Sequence, residues 1–290
     1  MKVTVYTLNA FSKTENGGNP AGVVLDADYL SESQMQNIAA KVGFSETAFV
    51  KKSSNADFNI RFFTPNTEVD LCGHATIAAF YLLAHKGLIE AGEYTQETKA
   101  GILKVECHLD GVVYMYQNKP CFFQNIDKEE LADSLNINEN VIMRNYPAQI
   151  VSTGLRDILI PINTIDELYK IKPDFNKVIS VSNKYDVVGY HIFALDTQYA
   201  ATAHCRNFAP LYDIPEESAT GTSNAALSCY LYKYGIVSEK IARHQIFKQG
   251  YSMQKPSEIL ASLVIQKKEI VEVRVGGIAQ DIKEVFIEVN

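Results

Sequence analysis

The chain has 290 residues, long for one hydrophobic core and comfortable for two, and its 47% apolar content is enough to bury both. A formal net charge of -7, an isoelectric point near 5.4 and no basic run denser than Lys267-Lys268 exclude a nucleic-acid partner. No apolar stretch is long enough to span a bilayer, so no membrane partner is expected.

Residues 1–8 alternate as a strand (Met1-Lys2-Val3-Thr4-Val5) and lack the apolar core of a signal peptide. Five cysteines, an odd number, then point to reduced thiols in a cytoplasmic protein, with Cys107, Cys121 and Cys229 read as core packing. Residues 11–20 read as a polar loop ending in Gly17-Gly18-Asn19-Pro20. A helix starts at Ser31 with a capping-box partner at Gln34, carries Met35, Ile38, Ala39 and Val42 on one face, and stops at Gly43. Strands over 47–51 and 58–64 precede a helix that opens at Gly73. Strands over 94–98, 102–108 and 112–117 follow, the last two joined by an Asp110-Gly111 turn, and Pro120 with Phe122-Phe123 marks a crossover. In the second half the spacing predicts helices over 128–135, 165–171 and 175–183, and strands over 148–152, 158–161, 187–194 and 200–206. A helix then opens at Gly221, and strands over 245–248, 259–265, 270–275 and 285–288 close the chain.

Two of these helices share one design. Asp70-Leu71-Cys72-Gly73-His74-Ala75-Thr76 and Ser218-Ala219-Thr220-Gly221-Thr222-Ser223-Asn224 each lead into an Ala-rich apolar run that meets a Gly fourteen residues on, at Gly87 and Gly235. Turn, helix, stop and following aliphatic pair recur in register, which reads as two domains built on one plan. Strands outnumber helices, hairpins are common and no regular β-α-β alternation is visible. The class is α+β, with two curved, mostly antiparallel sheets each holding one helix. We expect an N-terminal domain over 1–118, rejoined by the strand 283–290, and a C-terminal domain over 119–282. Helix N-termini at Gly73 and Gly221 that face each other across a cleft would offer backbone N–H groups to a small anionic substrate.

Among candidate chemical groups, Glu46 lies between a helix stop and an apolar strand. Packing by Phe44 and Phe49 would desolvate the carboxylate and poise it for proton exchange; otherwise it is a solvated strand-start residue. His74 either donates to a ligand or satisfies a backbone carbonyl. Gly17-Gly18-Asn19-Pro20 is either a backbone nest for an anion or a turn. Arg206-Asn207-Phe208-Ala209-Pro210 with Glu216-Glu217 is a third candidate, although acidic groups before a helix are favoured by the helix dipole alone. There is no G-x-G-x-x-G between strand and helix, no Walker A and no G-x-S-x-G, and Cys72-x-His74 and His204-Cys205 lack structural-zinc spacing, so no metal is expected.

At these residues the chain resembles the PhzF-like phenazine biosynthesis proteins. Gly18-Asn19-Pro20-Ala21, Ser45-Glu46-Thr47-Ala48-Phe49, Leu71-Cys72-Gly73-His74-Ala75-Thr76, Arg206-x-Phe208-Ala209-Pro210 and the stretch from Glu216 to Thr222 carry the likeness, in order and across most of the chain. The resemblance implies the diaminopimelate epimerase-like fold, a homodimer, and a cofactor-independent isomerase of a small acid. It implies that Glu46 shuttles a proton, aided by His74, an acidic residue (Glu217) and a hydroxyl (Thr222); Gly18 and Asn19 of the turn and Gly73 and Gly221 at the helix starts are the candidate substrate-binding residues. The family's Asp and Ser are here Glu217 and Thr222, one methylene and one methyl larger, and Lys255-Pro256 stands where Arg-Pro is common. The epimerase relatives use a cysteine at each helix start; here Cys72 has Thr220 as its counterpart. A one-carboxylate isomerase leads, with an epimerase or racemase and a non-catalytic small-acid-binding protein as alternatives.

Overall fold

A computed structural model of the chain describes residues 1–196 and 201–289. Ala200, the expected start of the strand over 200–206, lies outside the described residues, as does Asn290. The chain divides into two units: Met1–Tyr116 together with the segment from Gly276 onward, and Gln117–Val275.

In the first unit β1 (Lys2–Ala10) pairs antiparallel with β2 (Asn19–Val24), and α1 (Glu32–Val42) crosses to β3 (Glu46–Lys51), parallel to β2. The antiparallel β4 (Phe58–Phe63) and the short β5 (Glu68–Val69) lead into α2 (Gly73–His85). Next come β6 (Gly92–Thr98), parallel to β4, then β7 (Gly101–Cys107) and β8 (Val113–Gln117) as an antiparallel meander.

The second unit begins with β9 (Cys121–Asn125), α3 (Lys128–Leu135) and β10 (Gln149–Ser152), the last antiparallel to β9 and to β11 (Arg156–Ile162). Helices α4 (Ile165–Lys170) and α5 (Phe175–Tyr185) cross to β12 (Gly189–Leu195), parallel to β11, and β13 (Ala203–Ala209) returns antiparallel. The short β14 (Ile214–Glu217) folds on β13 and leads into α6 (Gly221–Lys233). After α7 (Glu239–Ala242) come β15 (Gln245–Gln249), parallel to β13, and the antiparallel β16 (Ser257–Gln266). Finally β17 (Glu269–Gly277) leads to β18 (Ala279–Glu288), which pairs antiparallel with β1 in the first unit.

The succession β1 to β7 and the succession β10 to β16 follow the same pairing rules: hairpin, parallel crossover, hairpin, fold-back strand, buried helix, parallel return, hairpin. The repeat seen at two helix starts therefore extends through whole sheets, and the α+β class of two similar units is what the structure shows. Both α2 and α6 are buried nearly all round, α2 from His74 through Leu83 except Tyr81 and α6 from Ser223 through Leu231. A helix with no polar face belongs inside its own unit. Helix α2 packs on β1, β2, β3 and β7, and α6 packs on β10 and β16. Gly87 and Gly235 follow their helices with φ of +68 and +66.

The opposite sheet faces are covered too. Met35, Ile38 and Ala39 of α1 pack on Val3, Val5, Val24, Phe49 and Phe63, while Leu131, Leu168 and Val178 of α3, α4 and α5 pack on Ile150, Ile158, Ile160 and Ile192. Two-sided burial explains why β11 and β12 read as largely apolar runs rather than alternations, and why β13 is buried along its whole length although it carries His204, Arg206 and Asn207.

Several details differ from the sequence reading. The loop over 11–20 ends earlier, because Asn19 and Pro20 already pair with Ala10 and Asn9. Pro20 is tolerated near the beginning of its strand. The chain passes into the second unit at Gln117, and Cys121-Phe122-Phe123 just beyond is a strand; Cys121 is exposed, not core. β5 and β14 are too short to show a period. Among the described residues no helix is long and apolar enough to cross a membrane.

Candidate functional site

The motifs of the first unit meet at the start of α2. The parallel register sets Ala21 of β2 opposite Glu46, the first residue of β3. Cys72 is the extended N-cap of α2, and His74 is the second helical residue. His74 Nε2 lies 3.2 Å from Glu46 Oε2 and 3.3 Å from Ser45 Oγ, and its Nδ1 lies 3.4 Å from both Asn19 Nδ2 and Cys72 Sγ. With Asn19 donating to Nδ1, the ring proton sits on Nε2 and faces the carboxylate. Burial pushes the His74 pKa below the ordinary histidine value, against the pull of the Glu46 charge, which keeps the ring neutral at neutral pH.

Glu46 is held between protein and solvent. Its side chain keeps 19% of its surface exposed, yet Oε2 is buried and makes no hydrogen bond among the described residues; the 3.2 Å approach of His74 is close in distance but poorly aligned. The expected packing of Phe49 on this carboxylate does not occur. Residues 46 and 49 point to opposite faces of β3, and Phe49 stacks edge-on with Phe63 in the core beneath α1. Gly18 is required by its backbone: its φ is +80, and a Cβ there would stand 2.5 Å from the Ala10 carbonyl oxygen. Gly73 carries no such constraint, since a Cβ would come no nearer than 3.9 Å to Met115 Sδ.

In the second unit Glu217 ends β14, Gly221 opens α6 and Thr222 follows it. Thr220, the N-cap of α6 as Cys72 is of α2, donates its hydroxyl to Glu217 Oε2 at 2.5 Å. Gln249 donates to Thr220 Oγ1 at 3.0 Å and to the Glu217 carbonyl at 2.8 Å, and its own oxygen accepts from Asn224 Nδ2 at 2.8 Å. His191 Nε2 donates to Asn224 Oδ1, Asn207 Nδ2 donates to His191 Nδ1 and to Ser223 Oγ, and Ser223 donates to Asp157 Oδ2 at 2.6 Å. Donors and acceptors match along this whole chain, which fixes the His191 tautomer. Burial holds the His191 pKa down at about 4 and lifts the Asp157 pKa to about 6, the latter against hydrogen bonds from Ser223 and the Gly189 backbone. Thr222 enters through its backbone, its carbonyl accepting from Thr153 Oγ1 at 3.2 Å.

The structure thus joins Glu46, His74 and Asn19 in the first unit, with Gly18 and Gly73 beside them in sequence, and gathers Glu217, Gly221 and Thr222 around the start of α6. Arg206 and Glu216, from the third motif, form a structural clamp. The guanidinium grips both Glu216 oxygens at 2.9 Å and caps the Leu168 and Ile171 carbonyls at the end of α4. Sequence reasoning assigned no role to Ser45, Asp157, His191, Ser223, Asn224 or Gln249, and named Asn207 only as part of a motif. Ser45, Asn207, Ser223 and Asn224 lie in or beside motifs and were legible by position; Asp157, His191 and Gln249 come from separate strands and carry no local signal. Metal-ligating capacity was missed as well: one donor atom each from Glu46, Cys72 and His74 lies within 4.8 Å of the others. Two open surface hollows, of about 530 Å³ beside Arg144 and about 570 Å³ beside His108, are lined by none of these residues.

Comparison with known proteins agrees with this fold. The family profile of phenazine biosynthesis-like proteins (PhzC-PhzF) matches residues 8–284. An uncharacterized isomerase of Clostridium acetobutylicum is 36% identical over 287 residues, 95% of each chain. A crystal structure of a Bacillus anthracis phenazine biosynthesis protein of the PhzF family superposes with a TM-score of 0.90 at 32% identity, covering 100% of both chains. A hydroxyproline epimerase of Agrobacterium vitis, 12% identical, shares the fold with a TM-score of 0.60 over 99% of this chain and 93% of its own. The chain belongs to the phenazine biosynthesis-like PhzC-PhzF family.

Proposed function

We propose that the protein is an isomerase of a small carboxylic acid in which Glu46 takes a proton from one substrate carbon and returns it to another. The observation that carries this reading is the Glu46 carboxylate itself: reachable from solvent, with its Oε2 buried, without a hydrogen bond among the described residues, and 3.2 Å from His74 Nε2. A base of this kind is free to accept a proton, and the neutral imidazole N–H beside it can stabilise the negative charge left on the substrate while Glu46 holds that proton. Glu217 and Thr222 are proposed as the acidic and hydroxyl groups that the family resemblance implies, and Gly18, Asn19, Gly73 and Gly221 as binders of substrate polar groups. The N-termini of α2 and α6 suit an anionic substrate. A proton shift is redox-neutral and moves no group other than the proton, so the proposed reaction needs no organic cofactor. Five free thiols fit a reducing, cytoplasmic setting.

Deuterium uptake from D2O into candidate small acids tests the proposal. Glu46→Gln keeps shape and hydrogen bonding but removes the acid/base, and exchange should fall by about 10²- to 10⁴-fold with the circular dichroism spectrum unchanged. Cys72→Ala should leave most of the exchange.

One observation favours a second reading. Cys72 Sγ lies 3.4 Å from His74 Nδ1 at a helix N-terminus, within reach of a ring nitrogen that could take the thiol proton, the pairing a thiol racemase needs. Its counterpart Thr220 donates its proton to Glu217 and is a poor base, which leaves that mechanism short of a second thiol. An inactive Cys72→Ala beside an active Glu46→Gln would establish the racemase reading. Full binding with no loss in either variant would favour a small-acid-binding protein.

A further inference from the structure

We propose that Glu46, Cys72 and His74 form a binding site for a zinc-class divalent cation, a second use of side chains otherwise assigned to proton transfer. The separations fit the ion. Tetrahedral zinc with a thiolate at about 2.3 Å, an imidazole nitrogen near 2.0 Å and a carboxylate oxygen near 2.1 Å sets its ligands about 3.4–3.6 Å apart. Here His74 Nε2 is 3.2 Å from Glu46 Oε2 and 3.8 Å from Cys72 Sγ, and all three donors fall within 4.8 Å. Small side-chain rotations close the remaining gap.

Three further features point the same way. The buried Glu46 Oε2 has no hydrogen bond among the described residues, and a cation would supply that partner. Thiolate with imidazole selects a borderline-soft ion such as Zn²⁺ over Mg²⁺ or Ca²⁺. Thiolate, carboxylate and Zn²⁺ sum to zero charge, which a half-buried site tolerates. On binding, the Cys72 thiol proton leaves to solvent and the sulfur lone pair enters the metal bond. Ligation through Nε2 moves the ring proton to Nδ1, so the Asn19 amide must turn to present its oxygen there. In that position it supplies the outer hydrogen bond that orients metal-binding histidines. The exposed edge of Glu46 leaves room for a fourth ligand.

The consequence for activity rests on the proposed function: a Glu46 carboxylate bound to zinc cannot carry a proton, so zinc would inhibit. Metal binding itself does not depend on that reading. The probe is Co²⁺, titrated into reduced, chelator-treated protein without oxygen. We expect one equivalent to give intense visible bands of a four-coordinate ion and a near-ultraviolet thiolate band, both erased by Zn²⁺. Cys72→Ser should remove the thiolate band and weaken binding at least about tenfold, and Asn19→Asp should tighten it by about ten- to a hundredfold by supplying a carboxylate to Nδ1. Weak, octahedral-type bands, or a thiolate band that survives in folded Cys72→Ser, would overturn the site. Loss of the site with Glu46→Gln still inactive spares the proton-transfer reading. Tight zinc binding without effect on deuterium exchange would sink that reading and leave the site standing.

Discussion

Asn19 reaches His74 because the chain turns sharply one residue earlier. At Gly18 any side chain meets both a positive φ and the Ala10 carbonyl, so Gly18→Ala must displace backbone and not merely a neighbouring rotamer. We expect it to cost at least about 1 kcal/mol in thermal or urea unfolding, and to shift the NMR titration of His74 as the Asn19 contact is lost. Identities at this site were legible in the sequence: Glu46, His74 and Asn19 stand in short motifs, and the structure brings all three together. Their surroundings were less so. Phe49 is near Glu46 in number but opposite to it in space, because strand parity outranks sequence distance. Cys72 reads as half of a loose Cys/His pair until Glu46, 26 positions earlier, arrives as the third donor.

At the scale of elements, the start of α6 is tied to β11, β12, β13 and β15 by hydrogen bonds with strand side chains. Ser223 is where that chain of bonds meets a buried carboxylate, so Ser223→Ala should leave Asp157 under-solvated and cost about 1–3 kcal/mol in chemical denaturation. The Asp157 pKa, already raised to about 6 by burial, should rise further. The helices themselves were visible in the sequence as Gly-bounded, Ala-rich runs, and the capping box at Ser31 and Gln34 forms as read. The polar ties were not, since Ser223 and Asn224 of α6 bond to partners on four separate strands. β2 and β9 were hidden by the Gly, Pro and aromatic residues at their starts, which mimic loop punctuation, and β5 and β14 by their brevity.

For the whole molecule, pH dependence follows from groups buried in their neutral forms. His74, His191 and His204 have pKa values pushed down by burial, His191 to about 4. An unfolded histidine takes a proton near pH 6.5, so this contribution to stability is complete above about 6.5 and is lost as pH falls toward 4, by roughly 3 kcal/mol for His191 alone. Asp157 runs the other way, favouring the fold below about pH 4 and losing that contribution as pH rises through about 6. Three histidines against one aspartate predict a thermal midpoint that drops between pH 6.5 and 4.5 in calorimetry, with a shallower slope in His191→Gln. We also propose, from the family resemblance, that the protein is a homodimer; a single monomeric species at micromolar concentration in sedimentation velocity would refute it.

The pairing of β18 with β1 has a consequence for biosynthesis. Met1 and Val289, 288 positions apart, are bonded to each other, and about 160 residues of the second unit are interposed before the first unit receives its last strand. At translation rates of about 5–20 residues per second, that interval lasts on the order of ten to thirty seconds. Throughout it the nascent β1 has one ladder edge open, a template for pairing with neighbouring chains. The unit made first on the ribosome is therefore the one completed last, and a nascent chain stalled before β18 should be more prone to aggregate and to recruit chaperones than one stalled after it.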